Sequence, residues 1–479
     1  MKWASYPDNQ LPRVSPESVG IPSAAVKKFM EAIEYRSVSL HSFMLLRHGK
    51  VAAECYYAPY RKNSRHRMYS VSKSFTSAAA GIAIREGRLK LTDKAADFFP
   101  EEIIGELHPF TAAMTVEDLL TMRTVHQGST DTSKGYWVRS FLNTPPSHPS
   151  GTTFAYDTTG THMVCAILQK ITGKTVQEYM EETMFEKVGI GPISWEQCDQ
   201  GISLGGSGIR CTTEDLARFA QLYLQDGVWN GERIFPEGWV DASFSPIADN
   251  SCSKFAFDGR HGYGYFFWKT RYGGACAFGM GGQLAIILPD KDLVFACTAN
   301  ALEHKDGQQL ILDSFWETLY DCLCDEALAE NPEELISLRS ITANAVTWLP
   351  GAADSSWKKI GGKTIHLDAG FEGITDMTFC FDDDGGKLTL LRNGEEIVFP
   401  FGLGAYVPFT DPLTGYEAQG GASFVREDLL VIRVEVTDHV HRHEFHCAFR
   451  EDRITVYLKS VGGLRDIAEQ FTGYLGAFY

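Results

Sequence analysis

No run of 18 apolar residues occurs in the chain, and the first twenty residues, MKWASYPDNQLPRVSPESVG, contain no apolar signal-peptide core. Neither a membrane span nor an export signal is therefore expected, and a cytoplasmic location is. Basic surplus is also missing. Forty-four Lys and Arg face 61 Asp and Glu, a formal net charge of −17, and no basic cluster is available to neutralise a phosphate backbone. Nucleic acid is thus excluded as the expected partner. The 11 cysteines are scattered and odd in number, with Cys322 and Cys324 the only close pair. That usage fits free thiols in a reducing compartment rather than a disulfide framework. Internal repeats and low-complexity tracts are absent too.

What remains is a chain of 479 residues with 44% hydrophobic and 22% charged content, enough for two or three domains with large cores. After a helix expected over Ser23 to Tyr35, SLHSFMLLRHGKVAAECYYAPY predicts two strands around a His48-Gly49 turn. Helical patterns dominate from Tyr69 to about Phe244, several opening on a threonine cap and closing on glycine. Strand patterns return from Tyr263 to Thr298, and a helix is expected from roughly Gln308 to Ala329. Strands at both ends of a helical middle predict an α+β fold: an antiparallel sheet flanked by helices, with a large helical insertion. From about Pro332 the texture becomes that of a connecting region. Beyond Lys359, short alternating segments such as MTFCF, KLTLLRN and RITVYLKS, separated by Asp/Gly turns, predict an all-β barrel or sandwich. The expected domains are residues 1–335 and 345–479.

The most informative residues are Ser70-Val71-Ser72-Lys73. Positions three apart on a helix share a face, so a hydroxyl and an ammonium at this spacing come within hydrogen-bond reach. Phe75, Ala78, Ala79, Ile82 and Ile84 follow at helical spacing, which places Ser70 at the N-terminus of a mostly buried helix. Ser251/Lys254, Ser355/Lys358 and Ser356/Lys359 repeat the spacing in polar stretches without such a helix, as surface coincidences would. A Ser-Lys nucleophile needs a proton relay and an oxyanion hole. Tyr156 and Thr158 stand just before an amphipathic helix, where a tyrosine near a lysine can take the serine proton; the bland alternative for Tyr156 is a packing aromatic. The run Phe278-Gly279-Met280-Gly281-Gly282-Gln283 interrupts a strand pattern, either to let a ligand approach the backbone or as a simple bulge.

Taken in order, Ser-x-x-Lys, then Ser-Gly-Thr-x-x-x-Tyr-x-Thr, then a glycine-rich strand running into Leu-Pro resemble the serine β-lactamase and penicillin-binding superfamily, closest to its class C and esterase branch. The fragments SPESVGIPSAAV, HSFMLLRHGKV, TVEDLLTMRT, GGSGIRCTTEDLARFAQLYL and GGQLAIILPDKDLVFACTAN extend the resemblance over about residues 10 to 330. The resemblance implies Ser70 as acylated nucleophile, Lys73 as its activator and Tyr156 as general base. The Ser70 N–H would be one oxyanion donor. Met280 N–H would be the other if Ala277-Phe278-Gly279 fills the family's Lys/His-Thr/Ser-Gly slot, or Gln283 N–H if Met280-Gly281-Gly282 does. Two departures stand out. No cation occupies the strand position that grips a β-lactam carboxylate, and Thr158 replaces the class C asparagine, losing the amide's donor and acceptor. The implied activity is hydrolysis of a small ester or amide rather than efficient β-lactam cleavage, with no cofactor. The same simplifications occur in simple esterases and 6-aminohexanoate-dimer hydrolases.

Two rival readings carry other chemistry. A non-catalytic descendant of the fold would bind a ligand or partner. His439, His441 and His443 alternate, and on one strand they would share a face able to hold a metal, although the polar face of a strand is the commoner meaning. No metal is expected.

Overall fold

His48 and Gly49 both adopt left-handed backbone angles, φ 52° and 68°, the turn that matches the twist of flanking strands. They join β1 (Ser39–Arg47) to β2 (Lys50–Tyr56). The computed structural model describes residues 11–132, 136–352, 360–368, 373–461 and 467–475. The chain divides into one unit made of Met1–Cys55 with Arg65–Ala343 and another of Tyr56–Ser64 with Asn344–Tyr479.

In the first unit, β3 (Trp268–Lys269), β4 (Ala275–Gly279), β5 (Gln283–Leu288) and β6 (Leu293–Asn300) complete a six-stranded antiparallel sheet, ordered β2-β1-β6-β5-β4-β3. Side chains alternate between its faces. Phe43 and Phe295 point to one side, where Phe29 of α1 (Ser23–Tyr35) meets their rings at 5.4 and 5.3 Å. Phe315 of α5 (Gly307–Thr318) packs on Phe295 at 5.1 Å. On the other side Ser42 Oγ bonds Thr213 Oγ1 (2.5 Å) at the start of α4 (Thr213–Leu224), and Thr298 Oγ1 (2.6 Å). Truncating Phe295 to Ala would remove packing from both helices, at a cost of about 3–5 kcal/mol.

Between β2 and β3 lies the helical insertion. Every residue of α2 (Ser72–Arg85) from Ser72 to Ala83 is buried. Small residues make this possible: a Cβ on Gly81 would lie 2.7 Å from the Trp239 ring. Phe75 stacks on Phe219 at 3.8 Å between centroids. The threonine caps read from the sequence are present. Thr115, Thr175 and Thr212 each close a capping box, with Asp118, Glu178 and Asp215.

The second unit is a closed barrel. Its strands are β7 (Thr364–Leu367), β8 (Ile374–Phe381), β9 (Gly385–Arg392), β10 (Glu395–Leu403), β11 (Val407–Thr410), β12 (Glu417–Arg426), β13 (Leu429–Val436), β14 (Arg442–Arg450), β15 (Arg453–Val461) and β16 (Ile467–Leu475). Their order is β10-β9-β8-β7-β16-β15-β14-β13-β12-β11, and a parallel pairing of Gly402 with Gly421 and Leu403 with Ala422 closes nine of them. Close approach at the seam demands glycine, since a Cβ on Gly420 would lie 2.0 Å from the Pro400 carbonyl. Phe379, Leu388, Phe399, Ile432, Phe445 and Val456 fill the interior.

Three expectations change. The helix expected to reach Ala329 stops at Thr318, because Cys324 N–H and Leu328 N–H are taken by the carbonyls of Gly20 and Glu17. The expected connector holds a helix, α6 (Pro332–Ala343), whose Glu334 N–H donates to Asn331 Oδ1 (3.2 Å) and whose Ser337 reaches Lys27 of α1. The three histidines do not share a strand face. His439 and His441 lie in a hairpin turn closed by Val436, and only His443 is on β14. Ser251 and Lys254 are exposed, whereas Ser355, Ser356, Lys358 and Lys359 lie outside the described residues. Among the described residues no helix is long and apolar enough to cross a membrane.

Candidate active site

Ser70 sits on a 3-10 turn, Tyr69–Val71, just ahead of α2 rather than inside it. Tyr69 before it has φ 46°, an uncommon left-handed angle for a side chain of this size. The turn is held from two sides. Met68 N–H donates to Ile209 O (2.8 Å) and Ile209 N–H to Ser72 Oγ (3.2 Å), clamping it to the short strand Ile209–Cys211. The end of β4 runs along its other flank, where a Cβ on Gly279 would lie 2.3 Å from Met68 O. Only glycine permits that approach, and Met280 follows it directly.

Lys73 lies in the first turn of α2, 1% exposed. Its Nζ is 3.0 Å from Ser70 Oγ and 2.8 Å from the Gly206 carbonyl. Gly206 has room for no side chain, since a Cβ there would fall 2.4 Å from Thr158 Cγ2. Burial lowers the ammonium from 10.5 to about 7, against a smaller upward pull from the charge of Asp157. Near neutral pH much of Lys73 is therefore an uncharged amine, a proton acceptor in contact with a serine hydroxyl.

The Tyr156 phenol lies near enough to the Ser70 hydroxyl to be influenced by it, and its ring lies 4.8 Å from Lys73 Nζ. Burial pushes its phenol well above the ordinary value, with the nearby Ser70 hydroxyl pulling the other way, so it stays protonated at neutral pH. Thr158 N–H donates to Ser129 Oγ (2.9 Å), and its methyl packs beside Gly206 as the first residue of α3 (Thr158–Thr172).

Met280 leaves the sheet and is 44% exposed. Gly281 and Gly282, at φ 79° and 97°, turn the chain back into β5. Gln283 pairs with Gly279 in the ladder and is fully buried. Its Nε2 donates to Met280 O and Ala299 O (both 2.9 Å), and its Oε1 accepts from Ala299 N–H (3.2 Å). Gln283 thus braces the turn that presents Met280. Ser70, Lys73, Tyr156 and the Gly279-Met280 edge are gathered at one place, while the Gln283 side chain is committed to its own hairpin.

Asp157 went unread in the sequence. Fully buried, it caps α3 by accepting from Thr159 N–H (2.9 Å) and Gly160 N–H (3.0 Å), and it accepts from Thr124 Oγ1 (3.0 Å). The signal was an aspartate directly before a helix pattern. Its second role, a charge acting on Lys73, needs the fold.

Residues 23–312 match the family model described as Beta-lactamase, which covers more than half of the chain. The chain belongs to the beta-lactamase family. It is 26% identical over 220 residues to a 6-aminohexanoate-dimer hydrolase of Paenarthrobacter ureafaciens, covering 42% of this chain and 56% of that protein. The chain thus spans just over half the length of this curated relative. Among solved structures, a putative 6-aminohexanoate-dimer hydrolase from Bacillus anthracis superposes with TM-score 0.53 at 18% identity, covering 64% of this chain and 86% of that one. The octameric penicillin-binding protein homologue from Pyrococcus abyssi covers 94% of this chain and 99% of its own, with TM-score 0.50 at 16% identity. These superpositions establish the beta-lactamase fold of the first unit.

Proposed function

We propose that the protein is a serine hydrolase that cleaves a small ester or amide through an acyl-enzyme on Ser70. The observation that carries this reading is Lys73: a buried amine, lowered to about 7, held 3.0 Å from Ser70 Oγ. Neutral Lys73 takes the hydroxyl proton as Ser70 Oγ bonds to the substrate carbonyl carbon. The Ser70 and Met280 N–H groups receive the negative charge on the carbonyl oxygen. Tyr156, kept protonated by burial, hands its proton to the departing alcohol or amine and recovers one from Lys73. The carbon–leaving-group bond breaks as the carbonyl re-forms, and water then repeats the sequence on the acyl-enzyme. Tyr156 is thus a relay in this scheme, and Lys73 is the base.

Substrate class follows from the residues of β4 beside Ser70. β4 reads Ala-Cys-Ala-Phe-Gly and offers no cation to a β-lactam carboxylate. The name of the curated relative, a hydrolase of a 6-aminohexanoate dimer, supports a substrate outside the β-lactams. A fluorophosphonate probe and a panel of p-nitrophenyl esters, small amides and nitrocefin test the proposal. Labelling at Ser70 and kcat/KM higher for the best simple ester than for nitrocefin are expected. A folded protein that neither labels nor turns over any member would instead be a non-catalytic binding protein.

A further inference from the structure

Tyr156 belongs to an aromatic cluster that reaches the side of Lys73. Trp268 stacks on it at 5.5 Å, and Phe278, two residues before Met280, stacks on Trp268 at 5.6 Å. Phe255 meets Tyr156 edge-on at 5.5 Å and Trp268 at 4.5 Å. Most of this cluster is inside the protein, with Trp268 3% exposed, but Phe255 is 38% exposed.

The loop presenting Phe255 is fixed at both ends. At its neck, Asn250 Oδ1 accepts from Gly262 N–H (2.7 Å) and Asn250 Nδ2 donates to Gly259 O (3.2 Å). Further along, the buried carboxylate of Asp258 accepts from Arg271 at 2.8 and 2.6 Å and from Gln309 at 2.6 Å. A rigid loop holding a half-open phenylalanine against the phenol beside Ser70 leaves one apolar surface open where a substrate arrives. Isolated exposed apolar residues are ordinary; here Phe255 is held against Tyr156, the ring that stands beside Lys73.

We infer that Phe255, with Trp268 and Tyr156 behind it, forms an apolar subsite for the leaving group, so that the preferred substrates are esters or amides of aryl- or arylalkyl-bearing alcohols or amines. This rests on the acyl-enzyme reading above, in which Tyr156 protonates the leaving group. A group that receives its proton from Tyr156 must lie against the Tyr156 side of the carbonyl, and Phe255 walls that side. The acyl portion lies away from this wall, so its length is not what Phe255 reads.

The test uses the full-length protein and acetate esters of two alcohols of near-equal acidity, benzyl alcohol and 2-methoxyethanol. Wild type should favour benzyl acetate in kcat/KM by at least tenfold. Phe255→Ala should reduce that ratio by at least fivefold, Phe255→Tyr should retain it, and Phe257→Ala, on the same loop but against His261 and Arg271, should leave it unchanged. In a p-nitrophenyl acetate-to-octanoate series, Phe255→Ala should not alter the dependence on acyl length. A benzyl preference absent from wild type, or a Phe255→Ala effect on acyl length instead of leaving group, overturns the inference. Fluorophosphonate labelling of Ser70 separates the two failures. With labelling and turnover present, only the subsite is wrong; with both absent from folded protein, the acyl-enzyme reading falls and the subsite with it.

Discussion

Lys73 in the first unit and Glu444 in the second are both buried ionisable groups, but their surroundings differ in kind. Lys73 has a hydroxyl and a carbonyl as hydrogen-bond partners, and burial drives it toward the neutral form at about 7. Burial would raise Glu444 as well, yet a hydrogen bond from His446 and the charges of Arg433 and Arg442 hold its carboxyl far below the ordinary range. Arg433 Nη2 is 2.6 Å and Arg442 Nε 3.1 Å from Glu444 Oε1. One group is kept ready to exchange a proton, the other is locked in its charged form. A value shifted toward neutrality beside a serine hydroxyl fits the proposed chemistry; the same burial with full pairing fits a scaffold.

The barrel sharpens the contrast with residues of the right types. Ser460 Oγ is 2.9 Å from His443 Nδ1, and Asp411 Oδ2 is 3.6 Å from His443 Nε2. Yet Ser460 is 8% exposed and sits in β15, paired on both sides by β14 and β16. Backbone N–H groups there serve the ladders. At Ser70 the hydroxyl lies on a left-handed-led turn beside a glycine edge where the sheet ends. Composition alone does not distinguish these two serines; their backbones do.

The largest effect expected is at the proposed nucleophile. Ser70→Ala should lower kcat by at least ~10³-fold with little change in stability, because catalytic groups act as a unit. Ser460→Ala should leave kcat within about twofold and cost ~1–2 kcal/mol in urea unfolding, the loss of a buried hydrogen bond. A reversal of these two outcomes would move the chemistry to the barrel.

Lys73→Met should lower kcat by ~10²–10⁴-fold while stabilising the fold. The sign follows from a folded value near 7 against an ordinary 10.5. Below about 7 the folded state carries the full penalty for a buried charge, on the order of 5 kcal/mol, and that penalty fades as pH rises toward 10.5. Urea melts of Lys73→Met and wild type should therefore differ most near pH 6 and converge by pH 10.

Glu444→Gln should destabilise the protein by ~3 kcal/mol at pH 7, removing the buried charge that Arg433 and Arg442 share. Because the folded carboxyl is depressed, its contribution is present above the unfolded value near 4.5 and is lost as pH falls. The wild-type advantage over Glu444→Gln should shrink below about pH 4.5, without effect on ester turnover at pH 7.

The smallest effect is at Asp157, whose charge raises Lys73. In Asp157→Asn the acidic limb of kcat/KM should move to lower pH, with the α3 cap kept because the Asn Oδ1 still accepts from Thr159 and Gly160 N–H. Movement to higher pH would contradict the assigned coupling.

Much of this was legible in the sequence, for identifiable reasons. Ser70 and Lys73 stood out because a long apolar-periodic segment follows them, and Phe75, Ala78, Ala79 and Ile82 are indeed buried. The barrel strands were legible through their alternation, least so in β12, where Gly420 and Gly421, needed at the closing seam, dilute the strand pattern. Helix α6 was missed although Asn331, Pro332, Glu333 and Glu334 are ordinary start signals. Its apolar face is weak, with only Leu338 buried. Phe255, 185 positions from Ser70 in sequence, carries no local signal; only the fold brings it to Tyr156.

The central claim is that neutral Lys73 activates Ser70, and the pH dependence of Ser70 labelling by a fluorophosphonate tests it most directly. The account predicts a labelling rate that rises with pH to a plateau, with its midpoint near 7, all label on Ser70, and no such rise in Lys73→Met. Label on another residue, or a Ser70 rate that is flat from pH 5 to 9 in wild type, would contradict it.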